Sequence, residues 1–277
     1  MRVTVEPSEL LQWQTEQRAV ILLDVRWALG DPHGHDRYRA GHLPGAVFVD
    51  LEAELAGPPS PAAGRHPLPA PAALTRAAQR WGVRSGCTVV AYDHSGGTAA
   101  ARAWWLLRWA GVEQSVMLDG GLAAWRAAGL PIETGEVRPA PGDVVLAAGR
   151  MPVLDADEAA ALARTGVLLD ARAGERYRGE QEPVDPQAGH IPGARSAPTS
   201  GNLDAGHRFL PADVLRRRFA ALGADGRVPV GVYCGSGVTA AHEIAALAIA
   251  GIDAALYPGS WSQWSADPSR PVATGSG

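Results

Sequence analysis

One cysteine of this chain occupies a position that favours nucleophilic chemistry. Cys234 follows the apolar run 228–233, which is typical of a buried strand, and precedes the apolar-faced helical pattern 239–247. Gly235 and Gly237 let the connecting backbone curl, so that successive N–H groups and the helix N-terminus point at the sulfur. Such a cradle favours the thiolate, the nucleophilic form of cysteine. The alternative is a small buried apolar residue, the usual role of a free cysteine.

Composition limits the other kinds of chemistry. The 277-residue chain has two cysteines, Cys87 and Cys234, too few for a disulfide framework and without the spacing of a zinc site. None of its 25 basic residues is lysine, which excludes Schiff-base chemistry and a phosphate-loop lysine. The net charge of −4 and the lack of a long apolar segment predict a soluble cytoplasmic protein with no nucleic-acid or membrane partner.

The elements that position Cys234 belong to one of two similar halves. Four segments of the first half recur in the same order in the second. The repeated segments are 22–26 and 168–172, 41–46 and 189–194, 88–93 and 228–234, and 119–125 and 258–264. In this alignment Asp93 stands where Cys234 stands in the other copy.

Each half alternates apolar strands with helical stretches, the pattern of a parallel sheet covered by helices. We therefore predict an α/β fold with two domains, residues 1–135 and 151–277. Residues 136–150 are predicted to form a linker, because the stretch is rich in proline and glycine and lacks periodicity. The stretch 57–71 is dense in proline and alanine and predicts a long irregular loop.

Together, the His-(Leu/Ile)-Pro-Gly-Ala motif of each half, the Leu-Leu-Asp-x-Arg strands, the Asp-Gly-Gly-x-x-x-Trp segment and the Cys-Gly-Ser-Gly-Val-Thr loop resemble tandem rhodanese-type sulfurtransferases. The resemblance covers nearly the whole chain. It implies two rhodanese-like domains, of which the amino-terminal one lacks the catalytic cysteine, in agreement with Asp93. It also implies that a Cys234 persulfide passes sulfur to cyanide, a small thiol or reduced thioredoxin, with no metal or organic cofactor.

The loop after Cys234 bears on the sulfur donor. Family members that resemble thiosulfate sulfurtransferase carry basic residues there, whereas those that resemble 3-mercaptopyruvate sulfurtransferase carry the neutral form found in this chain. The resemblance therefore favours 3-mercaptopyruvate, and it places Gly235, Gly237, Val238 and Thr239 at the bound sulfur. Thiosulfate as the main donor stays open.

In the mercaptopyruvate-type enzymes the loop serine belongs to a Ser-His-Asp relay. The resemblance assigns this relay to Ser236, His66 and Glu52, with glutamate in place of the usual aspartate. Two arginines normally hold the donor carboxylate. The first corresponds to Arg176, but the second position is occupied by Val184. Arg178 is a candidate replacement for the missing arginine.

Other interpretations of the cysteine loop remain. A cysteine phosphatase needs an arginine at the sixth residue past the cysteine to clamp phosphate, and here that residue is Ala240. A non-catalytic persulfide carrier would keep the same loop but would depend on a partner to load and unload the sulfur. His42 and His190 occur in both halves, including the half without a cysteine, and are therefore expected to be structural.

Overall fold

The computed structural model describes residues 1–276 and contains two separate parallel sheets. The amino-terminal sheet has the strand order β1-β5-β4-β2-β3, and the carboxy-terminal sheet has the order β7-β6-β8-β9. The strands are β1 (Thr4–Val5), β2 (Val20–Asp24), β3 (Val47–Phe48), β4 (Thr88–Tyr92), β5 (Ser115–Leu118), β6 (Val167–Asp170), β7 (Arg195–Ser196), β8 (Val230–Tyr233) and β9 (Ala255–Leu256). Every pairing between these strands is parallel, as the alternating pattern predicts.

Helices connect and flank the strands. They are α1 (Pro7–Thr15), α2 (Gly34–Ala40), α3 (Leu51–Glu54), α4 (Pro71–Arg80), α5 (Thr98–Trp109), α6 (Gly121–Ala127), α7 (Ala156–Thr165), α8 (Gly174–Arg178), α9 (Ala212–Ala221), α10 (Val238–Ile249) and α11 (Ser260–Trp264), with a 3₁₀ helix at Thr199–Asn202. The start of α7 is set by a capping box between Asp155 and Glu158. No helix within residues 1–276 is long and apolar enough to cross a membrane.

The two halves meet along α5 and α10, which pack against each other. Both helices are buried around nearly their whole circumference, which is the pattern of a helix enclosed between other elements. One apolar core cluster accordingly contains residues of both sheets, such as Leu23 and Val232. The loops that precede α5 and α10 are thereby brought to the interface between the halves.

The repeated motifs make the same contacts in both halves. Arg26 binds Asp24, and Arg172 binds Asp170, in each case with the guanidinium and the carboxylate buried. In the histidine motifs, Nδ1 of His42 lies 2.9 Å from a backbone carbonyl oxygen, and Nδ1 of His190 lies 2.8 Å from one. These contacts confirm that the repeated histidines are structural.

The stretch 136–150 contains no helix or strand, but it is anchored to the amino-terminal half. Gly142 donates its N–H to the carbonyl of Gln79, and Ala147 donates to the carbonyl of Ala110. The side chains of Val144 and Leu146 are buried. This stretch therefore lies against the protein surface along its length.

Candidate active site

Cys234 lies directly after β8 and before α10, as predicted from the sequence. The turn between them ends at Gly237, whose left-handed backbone (φ 79°) caps the helix. The N–H of Gly237 donates to the sulfur of Cys234 at 3.1 Å. The thiol is 1% exposed, so a donor must reach it through the cavity described below. The position satisfies the requirement for a nucleophile held at a helix N-terminus.

The segment that begins α11 holds this loop in place. The N–H of Trp261 donates to the carbonyl of Cys234 at 2.9 Å, and that of Ser262 donates to the carbonyl of Gly235 at 2.9 Å. The hydroxyl oxygen of Ser260 accepts from the N–H of Cys234 at 3.2 Å. These contacts satisfy the carbonyls of Cys234 and Gly235 and fix the loop from which the N–H of Gly237 reaches the sulfur.

A cavity of about 340 Å³ opens onto Cys234. Its wall contains the predicted loop residues Gly235, Ser236, Val238 and Thr239, together with the predicted Arg176. The amino-terminal half contributes residues to the same wall, so the cavity is composite. Those residues are Trp27, Leu29 and Arg65. A larger cavity of about 580 Å³ beside Trp13 and Arg108 contains none of the predicted site residues.

The long irregular loop of the amino-terminal half reaches the carboxy-terminal half. Its residue Arg65 donates its backbone N–H to the hydroxyl of Ser262 at 3.1 Å. The carbonyl of Ala62 accepts from the side-chain amide of Gln263 at 2.6 Å. These contacts dock the loop against α11, beside the cysteine loop.

This docking brings His66 to Ser236, two residues that the sequence analysis assigned to one relay. Nδ1 of His66 lies 2.7 Å from the hydroxyl oxygen of Ser236, and both side chains are buried. Burial, reinforced by the nearby cations Arg102 and Arg65, lowers the pKa of His66 to about 4. The imidazole is therefore neutral at neutral pH and able to accept the serine proton.

The predicted third member of the relay is not at His66. Among residues 1–276, no hydrogen bond joins Glu52 to the imidazole; instead, the carboxylate accepts from the indole N–H of Trp27 at 3.2 Å. The Trp27 ring stands edge-on to His66, with ring centroids 5.4 Å apart. The predicted direct contact of Glu52 with His66 is therefore wrong. Asp50 caps α3 through the N–H groups of Glu52 and Ala53, and this leaves the Glu52 side chain exposed.

Arg102, a fully buried residue of α5, was not predicted from the sequence. Its guanidinium donates to the carbonyls of His66 at 2.9 Å and of Gly237 at 3.3 Å, and also to those of Leu55 and Pro67. Burial lowers the pKa of Arg102 to about 10. Arg102 thus joins the loop of one half that carries His66 to the loop of the other half that carries Cys234. The available signal was an arginine flanked on both sides by apolar residues of the helix.

The arginines near the cavity differ from the predicted set. Arg176 lines the cavity and binds Glu182 at 2.5 Å and Asp185 at 3.1 Å. Val184 is 40% exposed and offers no hydrogen bond from its side chain. Arg178 pairs with Glu180 and does not line the cavity, so it does not replace the missing arginine. Arg65, which the sequence analysis did not consider, binds Asp185 from the other half.

The loop at Asp93 is closed by its own carboxylate. Oδ1 accepts from the N–H groups of Ser95 and Gly97, and Oδ2 accepts from those of Ala99 and Ala100, at distances of 2.8 to 3.0 Å. Gly97 caps α5 with a left-handed backbone (φ 87°). The amino-terminal half therefore retains an anion cradle, and the aspartate occupies it.

Comparison with known proteins agrees with this architecture. A family model described as Rhodanese-like domain matches residues 6–128 and again residues 155–267. A putative thiosulfate sulfurtransferase, SseB, from Mycobacterium tuberculosis is 48% identical over 279 residues, a match that covers 99% of this chain and 98% of that protein. A probable 3-mercaptopyruvate sulfurtransferase from Pseudomonas aeruginosa is 51% identical over 265 residues, which is 92% of this chain and 93% of that protein.

A solved structure gives the same result for the fold. The crystal structure of SseA, a 3-mercaptopyruvate sulfotransferase from Escherichia coli, superposes with a TM-score of 0.84 at 32% sequence identity. The superposition covers 94% of this chain and 99% of that one. The two-domain arrangement is therefore the one found in that enzyme.

Proposed function

Because this chain belongs to the rhodanese-like family and is a sulfurtransferase, we propose that it takes the thiol sulfur of 3-mercaptopyruvate. The sulfur passes through a persulfide on Cys234 to a thiophilic acceptor. The observation that carries this proposal is the 2.7 Å contact between His66 and Ser236 at the edge of the Cys234 cavity. A neutral hydroxyl–imidazole pair can transfer a proton, which the reaction of 3-mercaptopyruvate as sulfur donor requires.

The balance of the first step explains why a proton must move. The Cys234 thiolate attacks the sulfur of mercaptopyruvate, an S–S bond forms, and the bond between carbon and sulfur breaks. The electron pair of that bond goes to the carbon, giving the enolate of pyruvate, which takes up one proton to become pyruvate. The donor thiol loses one proton in the same step. We assign the transfer of this proton to Ser236 and His66, and no oxidant is needed.

The remaining contacts of the donor are assigned by chemistry. Arg176 lines the cavity and offers a guanidinium to the carboxylate of the donor. The backbone N–H groups at the start of α10, near Val238 and Thr239, stabilise the negative charge on the persulfide. Attack of an acceptor such as cyanide on the outer sulfur then yields thiocyanate and restores the thiolate of Cys234.

Thiosulfate as the main donor is the second candidate function. The observation that favours it is the group of arginines at the cavity, Arg65, Arg172 and Arg176, because thiosulfate is a dianion. The name of the Mycobacterium tuberculosis relative points in the same direction. With thiosulfate, the thiolate attacks the outer sulfur and sulfite leaves, so the step moves no proton. Loss of the Ser236 hydroxyl should then have little effect.

The test is the ratio of kcat/KM for the two donors, with cyanide as acceptor and Cys234→Ser as the blank. We expect 3-mercaptopyruvate to be preferred, and we expect Ser236→Ala to reduce turnover of mercaptopyruvate much more than turnover of thiosulfate. The opposite result is a preference for thiosulfate, with Ser236→Ala reducing turnover of both donors equally or of neither. It would make thiosulfate the main donor in place of mercaptopyruvate. Slow turnover of both donors with stoichiometric persulfide on Cys234 would identify a persulfide carrier.

We propose a small thiol or reduced thioredoxin as the acceptor in the cell, since both are nucleophilic toward the outer sulfur of a persulfide. The reaction needs Cys234 in its reduced form. Both cysteines of the chain are unpaired. A reducing compartment such as the cytoplasm would maintain this state.

A further inference from the structure

The resemblance implies two arginines at the donor carboxylate, and the carboxy-terminal half lacks the second of them. Position 184, where the resemblance expects an arginine, holds an exposed valine. Arg178 is committed to Glu180 outside the cavity. Arg172 also lines the cavity, but its buried guanidinium is bound to Asp170 and Glu182. Arg176 thus remains as the carboxylate partner that the second half offers on the cavity wall.

Arg65 reaches the same place from the amino-terminal half. A side-chain carbon added to Gly235 would lie 3.0 Å from Nη2 of Arg65 and 3.5 Å from Nη1 of Arg176. The two guanidinium groups therefore flank the residue that directly follows the nucleophile Cys234. Both also line the cavity that opens onto the thiol.

The buried carboxylate of Asp185 holds the two arginines in this arrangement. Arg65 Nη1 binds one oxygen of Asp185, and Arg176 Nη2 binds the other at 3.1 Å. The side chain of Asp185 is almost fully buried, so the pair of guanidinium groups is fixed by an internal anion. One carboxylate thus sets the spacing between cations from two domains.

Both arginines keep donors that no residue in the described part of the chain accepts. Nη1 of Arg176 and Nη2 of Arg65, the two nitrogens beside Gly235, have no protein acceptor within residues 1–276. Nε of Arg65 is buried and also lacks a partner. Unsatisfied donors of this kind mark a place where an anion is expected to bind.

We propose that Arg65 is the second arginine for the donor carboxylate, supplied across the domain interface in place of the arginine missing at position 184. The ligand class is a small 2-oxo carboxylate with a thiol on the neighbouring carbon. Its carboxylate bridges Arg65 and Arg176 while its sulfur faces Cys234. This inference rests on the proposed function, because it assigns a residue to the donor of that reaction.

The test compares Arg65→Met and Arg65→Lys with Arg178→Met, a matched control that removes a cavity-remote arginine. Arg65→Met should raise KM for mercaptopyruvate and the inhibition constant of pyruvate by about 10- to 100-fold, the effect of losing a charge-assisted pair. Asp185 keeps its contact with Arg176 in this variant, so the fold is retained. Arg65→Lys preserves a cation at Asp185 and should fall between Arg65→Met and the wild type.

A second readout does not depend on turnover. Iodoacetate and iodoacetamide both alkylate thiolates, but only iodoacetate carries a carboxylate. The measured quantity is the rate of alkylation of Cys234 by iodoacetate divided by the rate with iodoacetamide, followed by peptide mass spectrometry. This ratio should fall about tenfold or more in Arg65→Met and stay unchanged in Arg178→Met.

The two readouts separate the possible failures. If the wild type does not turn over mercaptopyruvate, the proposed function is wrong, and the alkylation ratio still decides the role of Arg65 in binding a carboxylate. If the wild type turns it over but both Arg65 variants keep the wild-type KM, pyruvate inhibition and alkylation ratio, then Arg65 does not bind the donor. A loss in Arg178→Met equal to that in Arg65→Met would also overturn the assignment.

Discussion

Nδ1 of His66 lies 2.7 Å from the hydroxyl oxygen of Ser236, although the two residues are 170 positions apart in the chain and belong to different sheets. The contact exists because the irregular loop of the first half docks onto α11 of the second. The proposed proton relay thus requires both halves in this arrangement. Its chemistry can be tested separately from the fold.

We expect Ser236→Ala and His66→Gln each to reduce kcat with mercaptopyruvate by about 10²- to 10⁴-fold, the usual contribution of acid–base catalysis. Because the two side chains act as one unit, the double variant should lose no more than the more impaired single variant. The measurement is kcat of the wild type and the three variants at saturating donor. Losses that add up in the double variant would show that the two residues act independently.

Glu52→Gln should keep kcat within a factor of about three of the wild type, because the side chain contacts Trp27 rather than the imidazole. The glutamine carbonyl can still accept from the indole N–H, so the wall of the cavity is retained. A loss comparable with that of His66→Gln, measured in the same assay, would return Glu52 to the relay.

Gly64→Ala should lower kcat, because it disturbs the docked loop. Gly64 has φ +85°, and an added side-chain carbon would lie 2.6 Å from the carbonyl oxygen of Gly259 in the other half. Gly86→Ala is the matched control, since Gly86 has φ +81° and nothing within 4 Å of such a carbon. Gly86→Ala should lose about 1 kcal/mol of unfolding free energy from backbone strain, and Gly64→Ala should lose more because its added carbon also collides with Gly259.

For both glycine variants, kcat and the thermal unfolding transition are measured. Only Gly64→Ala should combine the stability loss with a fall in kcat. Equal kcat values in the two variants would mean that the loop can move without disturbing His66.

The sequence was informative where the signal is local. The strand, the two glycines and the helix around Cys234 are consecutive, so their pattern was sufficient to predict the nucleophile loop. His66 was predicted from family resemblance alone, because the loop that carries it has no periodicity. The contact of Glu52 was predicted wrongly, since its partner is the indole of Trp27, which lies 25 positions away in the chain.

Long-range contacts account for what the sequence could not reveal. Arg65 and Arg102 act through residues more than a hundred positions away, namely Asp185 and Gly237. Nothing near either arginine in the sequence indicates these partners. Their roles depend on how α5 and α10 pack, which becomes visible only in the assembled molecule.

Glu243 is predicted to make stability depend on pH. It is fully buried on α10, and the amide of Asn202 donates to one of its oxygens at 2.6 Å while the other has no partner within the described chain. Burial raises the pKa of Glu243 from 4.5 to about 7, against the opposing effects of Thr199, Arg218 and Asn202, and Asp170 raises it further. The folded protein therefore holds a proton that the unfolded chain releases between about pH 4.5 and 7.

The sign follows from proton linkage. Since the folded state binds more protons in this window, the contribution of Glu243 to stability is lost as pH rises from about 4.5 to about 7. Glu243→Gln removes this loss, so its unfolding free energy relative to the wild type should increase by about 3 kcal/mol across the window. Urea unfolding at several pH values provides the measurement. A constant difference between the two proteins would mean that Glu243 is ionised in the fold.

Asp93→Ala should destabilise the protein by more than about 3 kcal/mol, because four backbone N–H groups lose their acceptor. Asp93→Asn keeps one oxygen as an acceptor and should lose less. Urea unfolding of the two variants tests the order. An Asp93→Ala variant as stable as the wild type would mean that water replaces the carboxylate without cost.

The carboxylate of Asp93 in its cradle resembles a persulfide on Cys234. A carboxylate oxygen of aspartate is separated from Cα by the same number of bonds as the outer sulfur of a cysteine persulfide. The cap glycines Gly97 and Gly237 each donate an N–H to the side chain in question. Ala99 and Ala100, which hold the second oxygen of Asp93, are the second and third residues of α5.

Their counterparts as second and third residues of α10 are Thr239 and Ala240. We therefore expect the N–H groups of these two residues to bind the outer sulfur once Cys234 is loaded. In the amino-terminal half the anion that fills the cradle is a fixed side chain, whereas in the carboxy-terminal half it would be a sulfur atom that leaves with the acceptor.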